Sequence, residues 1–136
     1  MHPQLQQDSF SVGHFDLCEL RLINDSQYPW CILVPKRLDI REVYQLNSAD
    51  QQQLQIESCY LAEQLAVLYN ADKMNIAAIG NVVPQLHIHH IVRFRQDKAW
   101  PAPVWGKYPA IPYSDSHRTE TLKRLQQQLK VCTEIT

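Results

Sequence analysis

The stretch from Leu86 to Phe94 constrains this chain most, because it places several imidazoles among branched apolar residues. Successive side chains of a β-strand point to opposite faces. We therefore expect Gln85, His87 and His89 on one face of a strand and His90 on the other. A polar row inside an apolar strand costs free energy unless each member finds a partner, so the row indicates a function.

Two imidazoles two residues apart have three interpretations: a metal site, a nucleophile with an acid/base partner, or a pair of structural histidines. The metal interpretation lacks a carboxylate or thiolate nearby in the sequence to complete a tetrahedral site. In the loop before the strand, Gly80 permits a close backbone approach and Asn81 offers an amide donor. These features favour binding of an anion such as phosphate. We interpret His90, on the opposite face, as structural.

Composition excludes several classes of protein. The chain has 136 residues, of which 45% are hydrophobic, which fits a single domain over residues 1–136. A formal net charge of −1 argues against a nucleic-acid partner. No apolar run approaches the roughly 20 residues of a membrane span, and the N-terminus lacks the order of a signal peptide. We therefore expect a cytoplasmic protein whose four cysteines are reduced thiols.

The hydrophobic patterning predicts an α+β fold with antiparallel neighbouring strands. Period-two alternation and short apolar runs predict strands at residues 15–23, 30–34, 74–79 and 86–94. A helix is predicted from Ser48, with Gln51 completing a capping box, to Asn70, which tolerates a left-handed cap. A last helix is predicted to begin with a cap at Asp115 or Ser116.

The two terminal segments are predicted to behave differently. Residues 1–14 are polar and rich in glutamine, which predicts a loosely held lead-in. Residues 99–113 contain many prolines and aromatic residues, which predicts an ordered, extended segment. Trp100 and Trp105 in that segment are candidates for stacking on a base, but packing on the domain or on a dimer partner is the favoured interpretation.

The ordered set of motifs resembles the histidine triad (HIT) superfamily, whose signature is His-φ-His-φ-His-φ-φ, with φ apolar, after a Gly-polar-x-Val turn. The resemblance rests on the Asn24-Asp25 turn, the strand end at residues 32–35, Asn75, and the motif at residues 80–93. It covers about residues 15–95, and residues 96–136 form a C-terminal extension. The Pro/Trp segment resembles a bacterial subgroup of the superfamily, with Gln85 in place of the first histidine.

The resemblance implies a HIT-like fold: an antiparallel sheet of about five strands with one main helix and a C-terminal helix, usually paired into a homodimer. It implies that His87 is the nucleophile and that His89 contacts the phosphate and helps with proton transfer. No metal or other cofactor is required. The implied phosphate or nucleotide contacts are Gln85, Asn81, Asn24, Asp25 and Asn75.

The activity that the resemblance implies is that of a nucleotide hydrolase or nucleotidyl transferase working through a covalent nucleotidyl-histidine. Diadenosine polyphosphates, nucleoside phosphoramidates and adenylylated species are the substrate types that the resemblance implies. Two departures, Gln85 and the Trp30-Cys31 pair where many members have Gly-His, favour an alternative, a non-catalytic nucleotide-binding or signalling module. A structural dimer with a merely satisfied histidine row is a third hypothesis. For nucleophilic attack, one nitrogen of His87 is expected to donate to a backbone carbonyl, which fixes the tautomer.

Overall fold

A computed structural model describes residues 1–133. Its centre is an antiparallel sheet of five strands in the order β1-β2-β3-β5-β4, which confirms the predicted α+β fold. Among the described residues, no helix has the length and apolar character needed to cross a membrane. The helices and strands are α1 (Pro3–Asp8), β1 (Ser9–His14), β2 (Cys18–Ile23), β3 (Trp30–Pro35), α2 (Ser48–Tyr69), β4 (Lys73–Ala77), β5 (Ile88–Arg93) and α3 (Asp115–Gln128).

The N-terminal residues are ordered, so the prediction of a loose lead-in over residues 1–14 is wrong. Pro3 opens α1, where its missing N–H group has no helical partner to lose. β1 then pairs antiparallel with β2, with Ser9 opposite Ile23 and a register shift between Ser11 and Gly13. The polar composition misled the prediction because an edge strand needs only one buried face, here supplied by residues such as Val12.

The two helices α2 and α3 begin and end at residues with the expected chemistry. The Asn47 side chain caps α2 by accepting from Asp50 N at 2.8 Å, one residue before the predicted start. α2 ends at Asn70, which adopts the predicted left-handed conformation with φ 51°. The cap of α3 is Ser114, not Asp115 or Ser116, because its hydroxyl accepts from His117 N.

The sheet has two faces with different covers. One face packs against α2 and α3 in a large apolar cluster that includes Leu20, Leu33, Leu61 and Leu125. The other face holds smaller clusters around residues such as Ile32, and these are covered by α1 and by the segment at residues 99–113. The functional features described below lie on this second face.

Strand β5 is shorter than predicted, beginning at Ile88 and not at Leu86. It lies between β3 and β4, with His89 opposite Ile32 on β3 and opposite Ala77 on β4. Every residue of β5 is buried. The strand therefore fixes the backbone on which His89 and His90 stand.

Candidate active site

A cavity of about 520 Å³ lies on the face of the sheet opposite α2. Four parts of the chain form its walls: the N-terminal region, the stretch from the end of β2 to the start of β3, the neighbourhood of β5, and the C-terminal Pro/Trp segment. Its lining consists of Leu5, Gln7, Asp8, Ile23, Asn24, Asp25, Trp30, Val83, His87, His89, Val104, Trp105, Gly106, Tyr108, Ala110 and Pro112. The structure therefore brings four of the sequence-predicted site residues together in one place.

His87 precedes β5 and has one ring nitrogen fixed by the backbone. Its Nδ1 lies 2.7 Å from the carbonyl oxygen of Gln85. A carbonyl can only accept, so Nδ1 carries the proton and Nε2 keeps a lone pair. This is the arrangement expected for a nucleophilic histidine. His87 is buried, with a relative exposure of 7%, yet it lines the cavity.

His89 has the opposite arrangement of its proton. Trp30 Nε1 donates to His89 Nδ1 at 2.9 Å, and an indole nitrogen is only a donor. The neutral ring of His89 therefore carries its proton on Nε2. Burial lowers the pKa of His89 to about 3, with smaller contributions from His87 and His90. His89 is thus a neutral hydrogen-bond donor at ordinary pH, and its ring centroid lies 4.9 Å from that of His87.

His90 points into the core on the other face of the sheet. Its Nδ1 donates to the Ile88 carbonyl at 3.0 Å, and its Nε2 accepts from the Ser58 hydroxyl of α2 at 2.7 Å. Burial lowers its pKa to about 4. Both ring nitrogens are satisfied within the protein, as the structural interpretation requires.

Asn24 and Asp25 line the cavity and also hold one of its walls. The Asn24 side-chain oxygen accepts from Tyr113 N at 2.9 Å. Asp25 Oδ1 accepts from Gln27 N at 3.1 Å and from Ile111 N at 3.4 Å. These contacts fasten the end of the Pro/Trp segment beside the histidines.

The other three residues predicted to contact phosphate lie elsewhere. Gln85 Oε1 accepts from the backbone N of His2 at 2.6 Å, and Gln85 borders a different cavity. Asn75 on β4 accepts from Arg93 Nη1 at 2.7 Å. Asn81 is exposed and is not part of the cavity lining.

The cavity is aromatic and carries little positive charge. Trp30, Trp105 and Tyr108 contribute rings, and Asp8 and Asp25 contribute carboxylates. The described lining contains no lysine or arginine. Within residues 1–133, no group of three or more His, Cys, Asp or Glu is arranged to hold a metal ion. The cavity therefore fits a ligand with an apolar or aromatic part and few negative charges.

Sequence reasoning missed the role of Trp30, which it treated only as a departure from Gly-His. The hydrogen bond from Trp30 to His89 joins residues 59 positions apart and depends on the pairing of β3 with β5. Trp105 was assigned to packing, and it does pack, with its ring centroid 5.2 Å from His89 and 5.9 Å from Trp30. The signal that was available is the aromatic excess of the Pro/Trp segment.

Comparison with known proteins defines the family. The family model of the HIT domain matches residues 4–96. The structure is similar to a histidine triad protein from Marinobacter aquaeolei VT8, with a TM-score of 0.93 and 47% identity over 96% of this chain and 95% of that chain. It is also similar to a histidine triad protein from Sinorhizobium meliloti 1021, with a TM-score of 0.92 and 40% identity over 95% of this chain and 96% of that one. No curated protein matches significantly.

A third similar structure is a histidine triad protein from Bradyrhizobium japonicum, with a TM-score of 0.91 and 37% identity over 94% of this chain and 96% of that chain. These three matches share the fold of this chain over nearly its whole length. The chain belongs to the HIT family. Membership supports a nucleotide-binding or hydrolase role.

Proposed function

We propose that this protein is a nucleotide hydrolase or nucleotidyl transferase in which Nε2 of His87 attacks the α-phosphorus of a nucleotide ester, anhydride or phosphoramidate. The observation that carries the proposal is the 2.7 Å contact of His87 Nδ1 with the Gln85 carbonyl, which leaves the lone pair on Nε2. A second histidine, His89, which carries its proton on Nε2, stands beside it.

The first step forms a bond between His87 Nε2 and phosphorus and breaks the bond from phosphorus to the leaving oxygen or nitrogen. The leaving group departs with the electron pair and takes a proton from solvent. The phosphorylated ring of His87 is a cation, and its Nδ1–H remains bonded to the Gln85 carbonyl. In the second step water attacks phosphorus and gives up one proton to solvent, the bond from phosphorus to Nε2 breaks, the nitrogen regains its electron pair, and a nucleoside monophosphate leaves.

His89 supports this reaction as a hydrogen-bond donor. Its Nε2–H is suited to bind a phosphate oxygen as charge develops in the transition state. The neutral His89 ring carries a single proton, on Nε2, and accepts from Trp30 at Nδ1. We therefore assign His89 the role of a hydrogen-bond donor in place of the proton transfer that the family resemblance implies. Loss of one such donor costs about 3 kcal/mol in the barrier.

Asn24 and Asp25 are proposed to contact the sugar. Asn24 is half-buried at the cavity edge. Asp25 Oδ1 accepts hydrogen bonds from the backbone, whereas its Oδ2 has no hydrogen bond among the described residues. A carboxylate oxygen is a good acceptor for ribose hydroxyl groups. Gln85, Asn81 and Asn75 lie away from the cavity and are given no direct contact in this mechanism.

The charge of the cavity favours phosphoramidates and esters over diadenosine polyphosphates. Each added phosphate brings negative charge toward Asp8 and Asp25, and the described lining offers no lysine or arginine to offset it. We expect kcat/KM for adenosine phosphoramidate to exceed that for diadenosine tetraphosphate by at least about tenfold, a difference of roughly 1.4 kcal/mol.

The test is intact-protein mass spectrometry after mixing with each of these two compounds, beside an assay for AMP release. An AMP-sized adduct in the wild-type protein, absent in His87→Ala, is the expected result. The exposed His117→Ala variant is the matched control and should keep the adduct. A protein that binds AMP but gives neither adduct nor AMP with either compound is a nucleotide-binding module, the alternative function.

A homodimer is the proposed assembly. β4 is the last strand in the sheet order, and an edge strand can pair with a second copy. Ile76 on β4 is 48% exposed, and Val82 beyond it is 88% exposed. A monomeric mass at tens of micromolar would exclude the dimer, and Ile76→Lys should dissociate a dimer built on this edge.

The cytosol is the proposed compartment. Cys18 and Cys31 are buried thiols in the core, and burial raises the pKa of Cys31 to about 12. Thiols of this kind fit a reducing environment. Recovery of the protein in the cytosolic fraction of its cells would test the proposal.

A further inference from the structure

The contact between Trp30 and His89 determines the protonation pattern of the cavity. Trp30 Nε1 lies 2.9 Å from His89 Nδ1, and the indole has no acceptor. A proton on His89 Nδ1 would face the indole N–H directly. The contact therefore excludes one of the two neutral tautomers of His89 and the doubly protonated ring as well.

Trp30 is held in this orientation by its surroundings. It begins β3, where it lies opposite Ile91 of β5. Its ring packs edge to face on Trp105 at 5.9 Å, and Trp105 packs edge to face on His89 at 5.2 Å. The three rings form a closed group, so rotation of the indole away from His89 would break both its hydrogen bond and its aromatic contact.

We propose that Trp30 is a positioning residue that keeps the proton of His89 on Nε2, on the cavity side. The role is complementary to that of the Gln85 carbonyl, which keeps the proton of His87 on Nδ1. Together the two contacts give one ring a lone pair and the other an N–H group, at a centroid separation of 4.9 Å. The function of this arrangement in phosphoryl transfer rests on the function proposed above.

The pairing explains how a chain with Trp30-Cys31 in place of Gly-His can keep an ordered site. An indole N–H supplies a donor to the histidine, and the ring fills the space beside it. The low pKa of His89, about 3, is consistent with a ring that stays neutral. Without Trp30, His89 can carry its proton on Nδ1, and its Nε2 lone pair then repels a phosphate oxygen.

The direct test is ¹⁵N NMR of the full chain labelled at histidine and tryptophan, at neutral pH and without substrate. In the wild-type protein His89 should show a protonated Nε2 and an unprotonated Nδ1, with a scalar coupling across the hydrogen bond from Trp30 Nε1. A protonated Nδ1 on His89 would overturn the proposal, and this measurement needs no variant to fold.

Variants then separate positioning from packing. In Trp30→Phe the two ring nitrogens of His89 should shift toward averaged values, whereas the matched Trp105→Phe should leave the His89 pattern unchanged. Trp30→Gln, which restores an N–H donor, should recover part of it. An unchanged pattern in Trp30→Phe would reduce Trp30 to a packing residue.

Steady-state kinetics gives a third measurement, which separates failure of the role assigned to Trp30 from failure of the proposed function. If the proposed function holds, Trp30→Phe should lower kcat by about 10- to 100-fold with a smaller change in KM, as outer partners of reactive histidines do. If the proton of His89 moves between the two ring nitrogens in Trp30→Phe while kcat stays unchanged, the positioning role of Trp30 is overturned. A protein with the expected tautomers but no turnover on any nucleotide would refute the proposed function and leave the assignment of Trp30 standing.

Discussion

His89 and His90 are neighbours in sequence and lie on opposite faces of the same strand, yet their surroundings differ in one decisive respect. Both are buried, and burial lowers the pKa of both. His90 uses both ring nitrogens within the protein, one on Ser58 and one on Ile88. His89 uses one, on Trp30, and within the described residues its other nitrogen has no hydrogen bond.

The comparison shows that burial alone does not identify a functional histidine. A ring with both nitrogens bonded inside the protein has nothing to offer a ligand, whereas a ring that lines a cavity with one unused nitrogen can bind one there. His87 follows the same rule as His89, with Nδ1 bonded and the other nitrogen unused among the described residues.

The largest expected effect is on turnover in His89→Ala. Removing the Nε2–H donor should lower kcat by about 10²- to 10³-fold, because one hydrogen bond to the developing charge is lost. His89→Gln, whose amide reaches a similar position, should recover part of the rate. Steady-state kinetics with adenosine phosphoramidate measures both. An unchanged kcat in His89→Ala would contradict the assigned role.

His90→Ala should act on stability instead. Removal of a fully buried ring leaves a void and strands the Ser58 hydroxyl, so the free energy of unfolding should fall by about 3 kcal/mol. kcat per folded molecule should stay within about twofold of wild type, since His90 does not line the cavity. Urea unfolding and active-site titration measure the two quantities. A large loss of kcat in the folded fraction of His90→Ala would show that His90, like His89, acts in the reaction and is not only structural.

Acid should expose the shared property of the two rings. Both folded pKa values, about 3 for His89 and about 4 for His90, lie below the ordinary 6.5. Below pH 6.5 the unfolded chain binds more protons, so the contribution of each ring to stability is complete above about 6.5 and falls as the pH drops toward about 4 for His90 and about 3 for His89. The slope is up to about 1.4 kcal/mol per pH unit for each histidine.

Urea unfolding midpoints measured between about pH 4 and about pH 6.5 test whether the two histidines make stability fall with acid. His90→Phe removes one of the two titrating rings, so its stability should depend less steeply on pH than that of the wild-type protein. Equal slopes in the two proteins would mean that His90 does not stay neutral in the fold.

The smallest expected effect is that of Gln85→Ala. The side chain holds His2 N, and α1 contributes Leu5 and Asp8 to the cavity wall. Its loss should raise KM a few-fold, about the value of one hydrogen bond. kcat should change little, because the carbonyl that orients His87 belongs to the backbone. A large fall in kcat would show instead that the Gln85 side chain acts at the phosphate, as the family resemblance implies.

The elements with strong periodicity were predictable from the sequence. Helix α2, its left-handed end at Asn70, and strands β2 to β4 follow from local patterns. β1 was not predictable, because an edge strand of mixed composition has a weak local signal. β5 starts late because its pairing with β3 begins at Ile88, opposite Leu33, and its pairing with β4 begins at His89, opposite Ala77; alternation does not reveal where the partner strands end.

The candidate site was predictable only in part. The His-x-His spacing indicated His87 and His89, since a two-residue period fixes a shared face. By the same two-residue period Gln85 should share the face of His87 and His89. Its Oε1 instead accepts from the backbone N of His2, and the residue lies outside the cavity lining. Trp30 depends on strand pairing over long sequence separation, which local pattern does not encode.

The C-terminal wall of the cavity has a consequence for how the protein is made. Tyr113 N reaches Asn24, 89 positions earlier in the chain, so this wall closes only after residue 113 has been synthesised. The carbonyl partner of His87, by contrast, lies only two residues before it in the chain. The orientation of the reactive imidazole is therefore encoded locally in the chain, whereas its shelter from water depends on a segment that comes later in the sequence.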